Sequence, residues 1–173
     1  LHRVDRRQRQ MCIRDRVTAG PTVEVIDPVR YVSNRSSGKM GYAIAEALRD
    51  KGAIVTLISG PTHLSLPEGI NVVKVESADD MFQAVTERFA KQDIVIKAAA
   101  VSDYTPMDIL EHKLKKQEGG LSVQFKRTKD ILKYLGENKT HQYLVGFAAE
   151  TQNIEQYALC LLYTSPSPRD KRQ

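Results

Sequence analysis

Residues 38–59 read GKMGYAIAEALRDKGAIVTLIS, and a change of period inside this stretch decides the fold class. In residues 38–52, Met40, Ala43, Ile44, Ala47 and Leu48 recur at the three-and-four spacing of one helical face, and Gly52 stands where a helix closes through a left-handed residue. From residue 53 the chain becomes AIVTLIS, a short, β-branched, mostly apolar run that suits a parallel strand covered on both faces. A helix that runs straight into a buried strand is the repeating unit of an α/β sheet.

The same alternation extends in both directions. VTAG (17–20) reads as the end of a first strand. NVVKVES (71–77) is a strand whose last residue, Ser77, is placed to cap a helix over ADDMFQAVTERFAK (78–91). DIVIKAAAV (93–101) is a second buried strand, and LSVQFKR (121–127) alternates like a half-exposed one. Thr128 or Asp130 opens a helix that runs to about Asn138, and YLVGFAAE (143–150) is a further strand. GPTHLSLPEG (60–69) is punctuation. DYTPMDILEHKLKKQEGG (103–120) is long, charged and irregular, a length at which loops are either functional or disordered. There are no internal repeats, no apolar run of membrane length and no secretory signal. The expected fold is α/β and Rossmann-like: a doubly wound, mostly parallel sheet with helices on both faces.

The net charge of +5 over 173 residues would suggest a nucleic-acid or membrane partner, but it lies at the ends. Residues 1–16 carry six arginines against two aspartates, and residues 160–173 carry three basic residues against one acidic, so the middle is slightly acidic. Neither a nucleic-acid nor a membrane partner is therefore expected. Both cysteines, Cys12 and Cys160, are also in the flanks, which leaves the middle without disulfide or thiolate-metal chemistry and compatible with the cytoplasm. The flanks have a common reading in the genetic code. MCIRDR (11–16) can be encoded by a DNA element whose opposite strand encodes Cys-Leu-Leu-Tyr-Thr, and the chain reads CLLYT at 160–164. That element resembles a transposon end used in sequencing adapters. Residues 1–16 and 159–173 are accordingly expected to be foreign and poorly ordered, with a native domain over 17–158.

In a doubly wound sheet, ligands sit beyond the carboxyl ends of the strands. Segments 18–41, 98–117 and 146–151 are expected to converge there. The stretch YVSNRSSGKMG (31–41) fails as a Walker A loop, because Ser33 occupies the first glycine's place and Met40 that of the Ser/Thr. The G-x-G-x-x-G dinucleotide fingerprint is also missing after the first strand, and the strand at 53–59 ends without an acid for a ribose. Ser36, Ser37 and the backbone N–H groups around Gly38 nevertheless suit an anion at a helix N-terminus. The bland alternative is a Ser/Gly turn that only caps the helix. Lys39 either adds charge or is a solvated helix residue.

TAGPTVEVIDPVRYVSNRSSGKMG, AAAVSDY, HKLKK and VGFAAET, in this order, resemble phosphopantothenoylcysteine synthetase, over about residues 17–158. The first block is long and contiguous, and it carries most of the specificity. The resemblance implies a ligase of coenzyme A synthesis. Its bacterial members use CTP and Mg²⁺ to activate the carboxylate of 4′-phosphopantothenate as a cytidylyl anhydride with release of pyrophosphate; the amine of L-cysteine then attacks and CMP leaves. It also implies a homodimer. FMN belongs only to the decarboxylase domain fused to this one in many bacteria, and nothing in this chain matches that domain. The family sequence continues well past GFAAET, so a C-terminally truncated sheet and a chain that does not complete the reaction are expected.

By the same resemblance Asn34 is the catalytic asparagine, its amide aimed at the developing oxyanion. An Asx-turn is the alternative. Arg30 matches the family's upstream arginine and is expected to hold a phosphate or carboxylate, unless it is a structural partner of Asp27. Ala98, Ala99 and Ala100 let a nucleotide approach the backbone, or simply pack. Asp103 falls at an acidic nucleotide-site position and is assigned to ribose, base or metal. Lys113 matches the nucleotide-contacting lysine of KLKK. Gly146 and Phe147 match the nucleotide-binding GF pair, with a core phenylalanine as the rival. Lys97 departs from the small or apolar residue expected at that strand end. His63, His112 and His141 show no metal-ligand spacing. A Rossmann oxidoreductase binding NAD(P)H and a non-catalytic nucleotide-binding fragment are the alternative functions.

Overall fold

A computed structural model describes residues 13–87, 89–115 and 121–147. In chain order these form β1 (Arg14–Ala19), β2 (Val23–Val25), β3 (Tyr31–Ser33), α1 (Lys39–Asp50), β4 (Ile54–Ser59), β5 (Asn71–Lys74) and α2 (Ala78–Thr86). A single 3₁₀ turn (Phe89–Lys91) leads to β6 (Ile94–Lys97), β7 (Tyr104–Pro106), β8 (Phe125–Arg127), α3 (Ile131–Asn138) and β9 (Tyr143–Gly146).

The main sheet has five strands in the order β5-β4-β1-β6-β9. Every neighbouring pair is parallel. α1 covers one face: Tyr42 and Ala45 pack on Val17, Ala19, Val55, Leu57 and Ile96. α2 and α3 cover the other, where Met81, Val85, Ile131 and Leu135 meet Ile58 and Val95. The chain therefore winds outward from β1 in both directions with helices on both faces, as the alternation of periods predicts.

Local signals act where they were read. Ser77 and Asp80 form a reciprocal capping box at the start of α2. Asp130 rather than Thr128 caps α3, accepting from the Lys133 N–H at 3.0 Å. Gly52, at φ 90°, closes α1: its N–H reaches the Arg49 carbonyl, and the Ala53 N–H reaches that of Leu48.

Several expectations need correction. β1 begins at Arg14, so residues 14–16 belong to the central strand instead of a poorly ordered flank; the other flank residues, 1–12 and 159–173, lie outside the described residues. The buried stripe of α1 is only partly the one read from its aliphatic residues: Ile44 and Leu48 are half-buried and pack on the cluster with Val17 and Leu57. Met40, Ala43 and Ala47 are exposed, and Gly41, Tyr42 and Ala45 are buried. Gly41 turns the helix: a Cβ there would lie 2.5 Å from the Ala19 Cβ, so its missing side chain lets α1 close onto β1. Tyr42 is buried because its hydroxyl has partners, Ser59 Oγ at 3.1 Å and Thr62 Oγ1 at 3.2 Å. The helix expected over 78–91 stops at Thr86, where Glu87 turns extended and Arg16 Nη1 donates to the Ala84 and Val85 carbonyls. The strand expected over 121–127 is only β8, and it pairs antiparallel with β7, inside the segment read as irregular. A second small antiparallel pair, β2–β3, is also not legible as two runs.

Candidate functional site

The order of the main sheet reverses direction between β1 and β6, and the crevice outside their carboxyl ends is where such a fold takes a ligand. The chain leaves both strands in step. The Ala100 N–H donates to the Gly20 carbonyl at 2.9 Å, and Pro21 and Ala100 form an isolated parallel bridge. Two buried hydroxyls hold the second segment: Thr18 Oγ1 accepts from the Ala99 N–H at 3.1 Å and Thr22 Oγ1 from the Ser102 N–H at 2.9 Å. Ala98, Ala99 and Ala100 are half-buried at the mouth, and Ala99 also packs on the apolar cluster of Ile58 and Val95.

On one side of this mouth is the N-terminus of α1. Gly38, its N-cap at φ 76°, offers no side-chain cap, and there is no acidic residue in the first turn. The hydroxyls of Ser36 and Ser37 approach the N–H groups of Gly38 and Lys39 at only 3.4 and 3.5 Å. The orphan donors of this helix end are thus open to an anion. Gly20 and Gly38 are packed about the Thr62 methyl, which a Cβ on either would meet at 2.9 or 2.8 Å. Lys39 is exposed.

Asn34 reaches across the crevice. Its Nδ2 donates to the Ala100 carbonyl at 3.2 Å, while its own carbonyl accepts from the Ser36 N–H at 2.9 Å. The side chain is exposed, so one amide proton remains for a ligand. Arg30 is held elsewhere: Nη2 donates to the Leu114 carbonyl at 2.6 Å, and Nε lies 3.7 Å from the Asp27 carboxylate. Asp27 in turn accepts from the N–H groups of Val29, Arg30 and Leu114. Burial alone would push its carboxyl up, but these backbone donors and Arg30 outweigh that and hold it below the usual range. Of the two readings of Arg30, this geometry favours the structural one. The pair pins Leu114, and with it the neighbouring Lys113, beside the β2–β3 turn.

Asp103 and Lys113 are exposed. Phe147 is 53% exposed, so among the described residues its ring is not a core ring. Gly146 ends β9 beside Lys97, and a Cβ on it would lie 2.9 Å from Leu132 Cδ2. Lys97 is half-buried; burial pushes its ammonium below the usual lysine range, against the opposing pull of Asp130 and Asp103. Among the described residues no group of three or more metal-capable side chains occurs. A cavity of about 640 Å³ opens on the β4–β5 flank, lined by Tyr42, Ser59, Thr62, Leu64, Lys74 and Asp80. Thr18, Thr22 and Thr62 are positioning residues that the sequence reading missed, whereas Asp27 was read as a partner of Arg30. Asp27-Pro28 carries an Asx-turn signal that could have marked the hairpin.

The model of the DNA/pantothenate metabolism flavoprotein C-terminal domain matches residues 14–163. The chain belongs to this family. The flavoprotein C-terminal domain match crosses both boundaries, after 16 and after 158, that the codon reading draws. Among similar proteins, the coenzyme A biosynthesis bifunctional protein CoaBC of Bacillus subtilis (strain 168) is 58% identical over 143 residues, which cover 82% of this chain and 35% of that protein. CoaBC of Escherichia coli (strain K12) is 47% identical over 146 residues, 82% of this chain and 36% of that one. The chain thus spans about a third of the length of the curated relatives it matches. A crystal structure of the C-terminal domain of CoaBC is similar with a TM-score of 0.78 and 50% identity, over 88% of this chain and 72% of that one. A Cab2 mutant in complex with phosphopantothenate-cysteine shares the fold at 18% identity, with a TM-score of 0.74, over 88% of this chain and 70% of that one.

Proposed function

We propose that this domain is a ligase that joins 4′-phosphopantothenate to L-cysteine, with CTP as the activating nucleotide. The observation that carries the reading is the Asn34–Ala100 bond at the switch point, because it joins two of the sequence blocks that resemble the synthetase next to an open helix N-terminus. In the first step the substrate carboxylate attacks the α-phosphorus of CTP and pyrophosphate leaves. The N-terminus of α1, Ser36, Ser37, Lys39 and the loop lysine Lys113 neutralise the phosphates. In the second step the cysteine amine attacks the acyl carbonyl, the carbonyl oxygen gains charge, and the remaining amide proton of Asn34 donates to it as CMP departs. Arg30 acts by holding Leu114, and so Lys113, in place. The half-buried Ala98, Ala99 and Ala100 provide a close backbone surface, with Gly146 and the exposed Phe147 ring against the nucleoside.

Mg²⁺ suits a site with one carboxylate and a polyphosphate, the donor set this ion prefers. Asp103 and the triphosphate oxygens would hold it, and it would supply neutralisation of their charge.

The partners follow from the same reading: 4′-phosphopantothenate, L-cysteine and CTP, and a second copy of the chain. The two antiparallel pairs lie side by side through β2 and β7 and carry the exposed apolar residues Tyr31, Val32, Tyr104 and Phe125, which supports a second copy as a partner. No helix among the described residues is long and apolar enough to cross a membrane, in keeping with a cytoplasmic enzyme. The buried Asp15 Oδ1, without a hydrogen-bond partner, supports the reading of residues 1–16 as foreign sequence.

Thermal denaturation tests the function. CTP with Mg²⁺ is expected to raise the melting temperature more than ATP with Mg²⁺, and NADH not at all. A shift with NADH alone would replace the ligase by an oxidoreductase.

A further inference from the structure

β2 inverts the usual pattern of a strand. Val23 and Val25 are only half-buried, while Glu24 between them is 3% exposed. Its Oε1 accepts from the buried N–H of Ala78, the first residue of α2, at 2.9 Å. The main chain beside it meets the same place, because the Val23 N–H donates to the Glu76 carbonyl at 2.8 Å. Two consecutive residues of β2 thus grip the residues on either side of Ser77, the N-cap of α2. A third valine would serve packing alone, without the cost of burying a carboxylate.

The β2–β3 hairpin needs such a hold. Its strands have three residues each and pair only with one another, and Tyr31 and Val32 are exposed. A two-stranded pair of that size is marginal on its own. Glu24 lies opposite Val32, Val23 lies opposite Ser33, and Ser33 Oγ donates to the Thr22 carbonyl at 2.7 Å. Asn34 is the next residue. Its Nδ2 meets the Ala100 carbonyl at 3.2 Å, and the same carbonyl accepts from the Thr22 N–H at 3.3 Å. An exposed amide keeps one direction only if the strand that carries it is fixed.

We propose that Glu24 is a positioning residue for Asn34: by clamping β2 to the first N–H of α2, it sets the place from which the Asn34 amide reaches across the crevice to Ala100. The inference rests on the reading of Asn34 as the group that meets the acyl carbonyl, and it extends that reading to a buried carboxylate of the neighbouring strand.

NMR of the whole chain tests it through the side-chain amide of Asn34, assigned by its loss in Asn34→Ala, with backbone amide exchange recorded alongside. Glu24→Leu removes the acceptor and is expected to move the Asn34 amide protons toward the shift of a free amide. The Ser36 N–H, which donates to the Asn34 carbonyl, should exchange about tenfold faster, while the amides of β4 and β6 exchange as in the parent. Glu24→Gln keeps an accepting oxygen and should keep the parental signal. Ala78→Pro cuts the same bond from the other side. Proline is tolerated at the first position of a helix and the extended Ser77 suits it, so this variant should reproduce Glu24→Leu, and it serves in its place if Glu24→Leu does not fold. A parental Asn34 signal in either variant, or acceleration spread evenly over β4 and β6, would overturn the proposal, since a merely structural residue lowers stability without singling out Asn34. A melting temperature raised by NADH and not by CTP would remove the ligase reading instead, and the Asn34 shift would still judge the clamp.

Discussion

The two halves of β1 are built alike in the main chain and unlike in the side chains. Parallel register runs unbroken from Arg14 opposite Ile54 to Ala19 opposite Ser59, and from Asp15 onward the strand is buried in the centre of the sheet. In the carboxyl half each buried group has a use: Val17 and Ala19 pack under α1, and the Thr18 hydroxyl holds Ala99 at the site. In the amino half Asp15 is 1% exposed, and its Oδ1 has no hydrogen-bond partner. Burial, and then the charge of Asp93, push its carboxyl above the usual range. Its neighbour Arg16, 5% exposed, reaches the carbonyls that end α2. A sheet ladder uses only backbone groups and continues under side chains that do not suit it, whereas a ligand-facing edge works only with the right ones.

Four experiments would break or sharpen this contrast. Gly60→Ala, on the carboxyl side, should have the largest effect on the fold, because its Cβ would fall 1.7 Å from the Pro21 carbonyl oxygen. A loss on the order of 3 kcal/mol or more in urea unfolding is expected, and a near-neutral result would show that this edge can give way. Asn34→Ala should slow acyl transfer on the order of 10²-fold while CTP affinity holds. An equal fall in binding would reduce Asn34 to an anchor for Ala100. On the amino side, Asp15→Val should stabilise the chain by about 1–3 kcal/mol at neutral pH, because it removes an unpaired buried carboxyl. A destabilised variant would mean that the two halves are equally well fitted.

The smallest effect is in pH. A carboxyl whose folded-state pKa is raised binds its proton more tightly in the native chain, so its contribution is present at low pH and is lost as pH rises. The stability of the parent relative to Asp15→Asn should therefore fall as pH is raised from the ordinary carboxylate range through the elevated value. A difference independent of pH would place Asp15 in a solvated setting.

Fold class was legible because the signals that set it are local. The switch from helical period to an apolar β-branched run at Gly52, the Ser77–Asp80 box and the Asp130 cap each involve residues a few positions apart. The face of α1 was legible only through Ile44 and Leu48, because a count of aliphatic residues passes over the glycine that lets the helix close and the tyrosine whose hydroxyl needed two distant partners. β7 was hidden for a related reason: a three-residue strand shows no period, and it exists only because β8 comes back to it. The meeting of the first two site segments followed from the topology of a doubly wound sheet, but the roles of their side chains did not; residues 148–151 of the third lie outside the described residues. Arg30 and Asn34 are both polar residues of one hairpin, and nothing in their neighbours says that one holds a loop while the other spans the crevice.

The sequence by itself determined the alternation of strand and helix, the turns and caps that separate them, and the anion-ready start of α1, since these depend on backbone preferences and hydrogen bonds within a few residues. Only the tertiary structure decided that Arg30 closes on Leu114, 84 positions away, and that Asn34 closes on Ala100, 66 positions away. Those contacts are made between segments brought together by sheet order and by the close approach that Gly20, Gly38, Gly41 and Gly60 permit. Their strength depends on burial and on distance through space, which no spacing along a single chain records.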